Sequence, residues 1–304
     1  MTLNEIFQDK DFRSEYPFES HFLELNGWRY HYVDEGQGEQ VLLFVHGNPT
    51  WSFMWRNLLK AFRPHFRVLA VDHIGCGLSD KPPQAPYSLS FHISNLERLV
   101  RHLNLQHITL VAHDWGGAIG MGTAVRLPDR FERFVLMNTA AFRSNRIPWR
   151  IAVCRWPLLG PIAVRGFNAF ARAALSQALA HPERLSPPVR RAYLAPYNNW
   201  KNRVAILRFV QDIPLSPKHP SYNTLLSIEQ SLSQFQDHPI LLIWGEQDWC
   251  FTTWFLEEFV KRFPRAEVCR IAEAGHYVVE DATEQVIERM LSFLKKTKCN
   301  TSAD

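Results

Sequence analysis

The chain is 304 residues long, 46% hydrophobic and 21% charged, with a formal net charge of +4. That balance supports a large buried core and excludes a disordered or fibrous chain. Its 34 Lys and Arg are dispersed through mixed stretches such as "RFERF", which excludes the clustered basic stripe of a nucleic-acid binder.

In chain order, the first twenty residues mix charges of both signs and hold no apolar core, so no secretory leader is expected. Residues 20–36 alternate apolar and polar around Asn26-Gly27, the pattern of a β-hairpin. "QVLLFVHG" (40–47) is a continuous apolar run into glycine, as in a strand buried on both faces. Three further runs have that shape before residue 141: 66–80, 107–117 and 131–140, with a helical stretch at 91–104. From 141 to 236 the strand runs vanish, and Pro-punctuated helical pieces replace them. Strands return at 238–248 and 266–276, and a helix follows at 284–296. Strands alternating with helices predict an α/β fold with a mostly parallel, doubly wound sheet. The expected division is a core of residues 1–140 and 237–304 with a helical cap, 141–236, inserted over the site.

Five cysteines (76, 154, 250, 269 and 299) show no ligand spacing. They predict reduced thiols, a cytoplasmic protein and no metal centre; Cys76 and Cys250 are expected to pack in core or loop. The Gly-x-Gly of "HIGCGLSD" lacks the third glycine of a nucleotide loop. No apolar stretch is long enough to span a bilayer. Residues 147–164, "IPWRIAVCRWPLLGPIAV", are apolar but broken by two Arg and three Pro. They suit a weak membrane or assembly contact, or a second copy of the chain.

Ligands of open parallel sheets bind beyond the carboxyl ends of the strands. Three reactive residues stand there: Asp114 after "ITLVAH", Asp248 after "ILLIWGEQ" and His276 after "EVCRIAEAG". Nucleophile, acid, histidine is the chain order of an α/β-hydrolase triad. "AHDWG" also has the spacing of a nucleophile elbow, with Ala112 and Gly116 as its small residues. A helix N-terminus behind Asp114 would favour its anion. An ionised carboxylate can displace a leaving group from an sp3 carbon directly, forming an alkyl ester. His276 would then activate water to cleave the ester, with Asp248 orienting its ring. The backbone N–H groups of Trp115 and Asn48 are the expected oxyanion donors.

At these residues the chain resembles the haloalkane dehalogenases. "FVHGNPTWSFMWRNLL", "VDHIGCGLSDKP", "VAHDWGGAIG", "AYLAPYNNWKNRVAILRFVQDIPL" and "WGEQDWCF" look like family segments in family order, spanning most of residues 20–295. The resemblance implies that the side chains of Asn48 and Trp115 hold a departing halide. It implies no cofactor, the halide being a product, and a small apolar substrate that reacts with water. Some family members take the acid from the strand before the cap, where this chain has Asn138; an amide cannot serve as the anion, which leaves the role to Asp248. The expected activity is hydrolysis of carbon–halogen bonds through an Asp114 ester. The alternative is a sister group with the same catalytic positions, the cis-β-lactone decarboxylases of bacterial olefin biosynthesis. Epoxide hydrolysis would need cap tyrosines such as Tyr193 and Tyr197, and a non-catalytic binding protein would be expected to have lost a triad member. Asp114 excludes a serine esterase. Ten Trp and twenty-one Phe favour an apolar pocket, with Trp51, Phe53, Phe167, Phe170 and Pro214 as candidate walls.

Overall fold

A computed structural model describes residues 10–298; Cys299 and residues 1–9 of the N-terminal stretch lie outside them. Eight strands form one sheet in the order β1-β2-β4-β3-β5-β6-β7-β8. They are β1 (His21–Leu25), β2 (Trp28–Glu35), β3 (Val41–Val45), β4 (Arg67–Val71), β5 (Ile108–Asp114), β6 (Phe131–Thr139), β7 (Ile240–Gly245) and β8 (Glu267–Ile271). β1 and β2 form the expected hairpin, with Asn26 and Gly27 both at positive φ (55° and 80°), as a two-residue turn between twisted strands requires. β2 also pairs antiparallel with β4, and the remaining pairs are parallel.

β3, β5 and β7 are buried along their whole length, which is why they read as unbroken apolar runs rather than alternations. Helices cover both faces. On one, α2 (Leu89–His102) and α3 (Trp115–Arg126) pack on the cluster that includes Leu43, Leu110 and Trp244. On the other, α1 (Arg56–Phe62) and α9 (Thr283–Lys298) cover Phe44, Val111 and Ile243. Between β6 and β7 the chain forms α4 (Ala169–Gln177), α5 (Pro187–Leu194), α6 (Val204–Gln211) and α7 (Tyr222–Ser231), with no strand. α8 (Thr253–Arg262) follows β7.

The loops after β3 and β4 are tied together by one buried carboxylate. Asp72, fully buried, accepts from the backbone N–H of Ser52 (2.7 Å) and of Leu78 (2.8 Å) and contacts the His31 ring at 2.8 Å. Burial disfavours the Asp72 anion, but its partners outweigh that and hold its pKa below the usual carboxylate range. Asp72→Ala would strand these donors in the core. The expected loss is about 3 kcal/mol of unfolding free energy, read from the urea midpoint at unchanged m.

Candidate active site

Asp114 is both the last residue of β5 and the cap of α3. Its backbone lies at φ 53°, ψ −128°, outside the regions a side chain ordinarily allows. The corner is held from three directions. The Thr139 hydroxyl donates to the Asp114 carbonyl. A Cβ at Gly116 would strike the Val45 carbonyl, and one at Gly47 would strike the Asp114 carboxylate. Only glycine at those two positions lets β3, β5 and α3 approach this closely.

The Asn48 backbone N–H donates to Asp114 Oδ1 at 2.6 Å, and the Trp115 N–H also favours the carboxylate charge. Both expected oxyanion donors therefore act on the Asp114 carboxyl group. His276 Nε2 stands 3.7 Å from Asp114 Oδ2, beyond hydrogen-bonding reach. One Asp114 oxygen is thus clamped by an N–H, while the other borders the cavity and the imidazole. On the far side of the ring, His276 Nδ1 meets Asp248 Oδ2 at 2.7 Å. The structure brings all three predicted residues together.

Burial pushes the Asp114 pKa above its ordinary value, against the opposing pull of His276 and of the two N–H groups. The helix terminus expected to keep Asp114 acidic is outweighed by its full burial. Burial also opposes the His276 imidazolium, but Asp248 and then Asp114 outweigh it and raise the His276 pKa above the usual value.

Several supports escaped the sequence reading. Asn138, weighed there only as a missing acid, donates from Nδ2 to Asp248 Oδ2 (3.0 Å) and to the Gly245 carbonyl (3.1 Å). Its Oδ1 accepts from Gly245 N–H at 2.9 Å. The amide therefore locks β6 to β7 and aims the carboxylate. Cys250 N–H donates to Asp248 Oδ1 at 2.6 Å. Asp281 accepts from Gly275 N–H (2.8 Å) and from Ala180 N–H (2.9 Å), joining the His276 loop to the inserted segment. Phe251 stacks on the His276 ring at 5.7 Å. A polar residue at the end of a parallel strand was the available signal for Asn138; Cys250 and Phe251 sit in a loop and Asp281 ends the short helix Val278–Asp281, where nothing in the sequence marks them.

Above these groups lies a cavity of about 580 Å³. Asn48, Asp114, Trp115 and His276 line it, with walls that include Phe142, Ile147 and Trp149. Phe170 and Pro214 line it as expected. Trp51 and Phe53 do not: both are fully buried in an aromatic stack with Phe12 and Tyr16, because the loop leaving Asn48 turns into the core. Phe167 is also no wall; it points outward and is 72% exposed. The Trp115 indole packs 5.5 Å from Phe209 at the cavity's edge. The Asn48 side-chain amide is turned to the Ile206 carbonyl at 3.1 Å, so part of its donor capacity is spent on α6. Tyr193 and Tyr197 bond Glu280 and the Thr50 carbonyl, outside the cavity lining. Among the described residues, no group of three or more His, Cys, Asp or Glu could hold a metal ion, and no helix is long and apolar enough to cross a membrane.

A carboxylate on a strained strand–helix corner, with a histidine and a second carboxylate at neighbouring strand ends, defines a hydrolase-type site on a doubly wound sheet. The family model for the α/β hydrolase fold matches residues 40–283, and the chain belongs to that family. It is 46% identical to a cis-3-alkyl-4-alkyloxetan-2-one decarboxylase of Shewanella oneidensis, over 93% of this chain and 90% of that one. Identity to the decarboxylase of the same name from Xanthomonas campestris is 42%, over 87% and 92%. Identity to haloalkane dehalogenase 2 of Mycobacterium bovis is 32%, over 89% and 93%. Among solved structures, the haloalkane dehalogenase DatA of Agrobacterium tumefaciens superposes with a TM-score of 0.82 at 28% identity, over 91% and 96%.

Asp248→Asn removes the anion that sustains the His276 imidazolium. The His276 midpoint in an NMR titration should start above 6.5 and fall in the variant. Turnover should drop by roughly a hundredfold or more. An unmoved midpoint would place the partner of His276 elsewhere.

Proposed function

We propose that the protein is a cis-β-lactone decarboxylase, which converts a 3,4-dialkyl-oxetan-2-one to a cis-alkene and carbon dioxide with Asp114 as nucleophile. The observation that carries this reading is the identity of 46% and 42% to two decarboxylases, against 32% to a dehalogenase. It reverses the order of the two activities expected from sequence. The buried hydroxyls of Tyr193 and Tyr197 speak against epoxide opening, which needs an acid at the substrate oxygen.

In this scheme an Asp114 oxygen attacks lactone C4 from the side opposite the ring oxygen. The C4–O bond breaks, and the ring oxygen leaves as part of a carboxylate on C3. The C3–carboxylate bond then breaks, and carbon dioxide departs. The freed electron pair forms the C3=C4 bond as the ester bond from C4 to Asp114 breaks, which restores the carboxylate. Lactone goes in, alkene and carbon dioxide come out, and no water is consumed. Backside attack sets the new C4–O bond anti to the C3–carboxylate bond while both alkyl groups stay on one side. Anti loss therefore gives the cis-alkene.

His276, with its raised pKa, offers a positive charge to the carboxylate released on ring opening. The Asn48 and Trp115 N–H groups receive Asp114 again as its charge returns. The apolar cavity suits two alkyl chains and favours loss of a poorly solvated carboxylate. Neither a metal nor an organic cofactor enters the scheme.

Dehalogenation would leave a different isotopic trace, because hydrolysis of the ester places a water oxygen in Asp114. Turnover of a cis-β-lactone in H2 18O should yield alkene and leave the Asp114 peptide unlabelled by mass spectrometry. Turnover of a bromoalkane by the same site should label it. Asp114→Ala should lower alkene formation at least a thousandfold. Bromide release with the lactone untouched would return the assignment to the dehalogenases.

A further inference from the structure

Of the eight large hydrophobic residues exposed among the described residues, six fall between 149 and 167: Trp149, Trp156, Leu158, Leu159, Ile162 and Phe167. Leu158 is the most exposed, at 78%. A seventh, Trp200, lies beside this segment, 3.8 Å from where a Gly166 Cβ would stand. Water-soluble monomers rarely leave such a group uncovered.

The charge within the segment itself is of one sign. The chain has no Asp or Glu between Glu132 and Glu183. Arg146, Arg150, Arg155, Arg165 and Arg172 fall in that interval, and none is in an ion pair among the described residues. Instead Arg150 lies over the Trp149 and Trp249 rings at 5.8 and 5.3 Å, and Arg165 over Trp200 at 4.5 Å. Aromatic rings paired with guanidinium groups that lack a carboxylate partner suit the boundary between acyl chains and headgroups. A protein partner could cover the apolar residues, but it would also have to supply carboxylates over the whole area. An anionic lipid surface supplies both at once.

The cavity opens at the same place. Trp149 and Arg150 are exposed and also line it, as do Ile147, Val153 and Cys154. We propose that this outer face, residues 149–167 with Trp200, docks on an anionic lipid surface and holds the cavity mouth against the bilayer. A dialkyl lactone would then pass between acyl chains and cavity without crossing water. That route rests on the proposed function, whereas lipid binding by the face does not.

The test is sedimentation of the purified full chain with vesicles, one set of phosphatidylcholine alone and one of equal parts phosphatidylglycerol. Binding should be at least several-fold stronger to the anionic vesicles and weaken as salt rises. Leu158→Asp/Leu159→Asp, outside the cavity lining, should abolish pelleting at an unchanged melting temperature. Arg165→Glu/Arg172→Glu should weaken it roughly tenfold or more. Wild-type protein left in the supernatant with both vesicle types would overturn the proposal. So would a leucine variant that pellets like wild type. If wild type instead forms dimers that the leucine substitutions dissociate, and no vesicle captures it, the face belongs to a second copy of the chain. Because no arm reads turnover, failure here leaves the decarboxylase reading standing, and the isotope experiment can fail without affecting this one.

Discussion

The geometry of the site depends on one backbone conformation, that of Asp114 at φ 53°. A β-strand would alternate its side chains into the two packed faces of the sheet, and a helix would wrap them around its axis. Switching from one to the other within a single residue throws the carboxylate clear of both, over the strand ends. The cost is of order 1–3 kcal/mol. It is offset by packing that no relaxed corner could use: Gly116 against the Val45 carbonyl, Gly47 against the carboxylate, and the Thr139 hydroxyl on the Asp114 carbonyl. The same closeness brings the Asn48 N–H within 2.6 Å of Asp114. The strain and the placement of the Asn48 N–H are therefore two consequences of one approach of β3 to β5.

A buried carboxylate, imidazole and second carboxylate would be unstable together if each were left alone. The structure treats the two acids differently. Asp248 is saturated by His276, Asn138 and the Cys250 N–H, so its direction is set. Asp114 keeps one oxygen clear of any hydrogen bond to His276 and faces an apolar cavity, which raises its pKa and leaves it poorly solvated. A carboxylate short of solvation is a better nucleophile than a saturated one, so the difference in partners fits the roles proposed for the two acids.

Much of this was legible in the sequence because the signals were local. Runs such as "VLLFV" and "ILLIWG" are apolar at every position because their strands are covered on both faces. Asn26-Gly27 dictates its turn, and the order Asp114, Asp248, His276 follows from where those strands end. What escaped depends on contacts between distant segments. Asn138 matters through β7, and Asp281 through the backbone at Ala180. Trp51 and Phe53 belong to the right loop, but the pattern cannot say that the chain turns inward after Asn48 and stacks them on Phe12 and Tyr16. Phe167 failed for the converse reason, since an aromatic residue in an apolar stretch reads as lining even where the stretch itself is surface.

The triad alone does not choose between hydrolysing a haloalkane and extruding carbon dioxide from a lactone. Both begin with Asp114 displacing a group from an sp3 carbon, and both leave an alkyl ester on the same oxygen. They part at the next step, over what breaks the ester. A haloalkane leaves no group behind that could do so, and His276 must recruit water. A lactone leaves its own carboxylate on the adjacent carbon, already anti to the ester bond, and the electrons of that C–C bond can expel Asp114. The second course needs a cavity wide enough for both alkyl arms, and one that keeps water from the ester until carbon dioxide has left. Under the proposed function, a volume of about 580 Å³ walled by residues such as Phe142, Ile147 and Phe170 gives both arms apolar room. On this shared frame the choice between the two reactions falls to the space above Asp114 rather than to the groups beside it, and the groups that the sequence makes plainest are the ones the two reactions share.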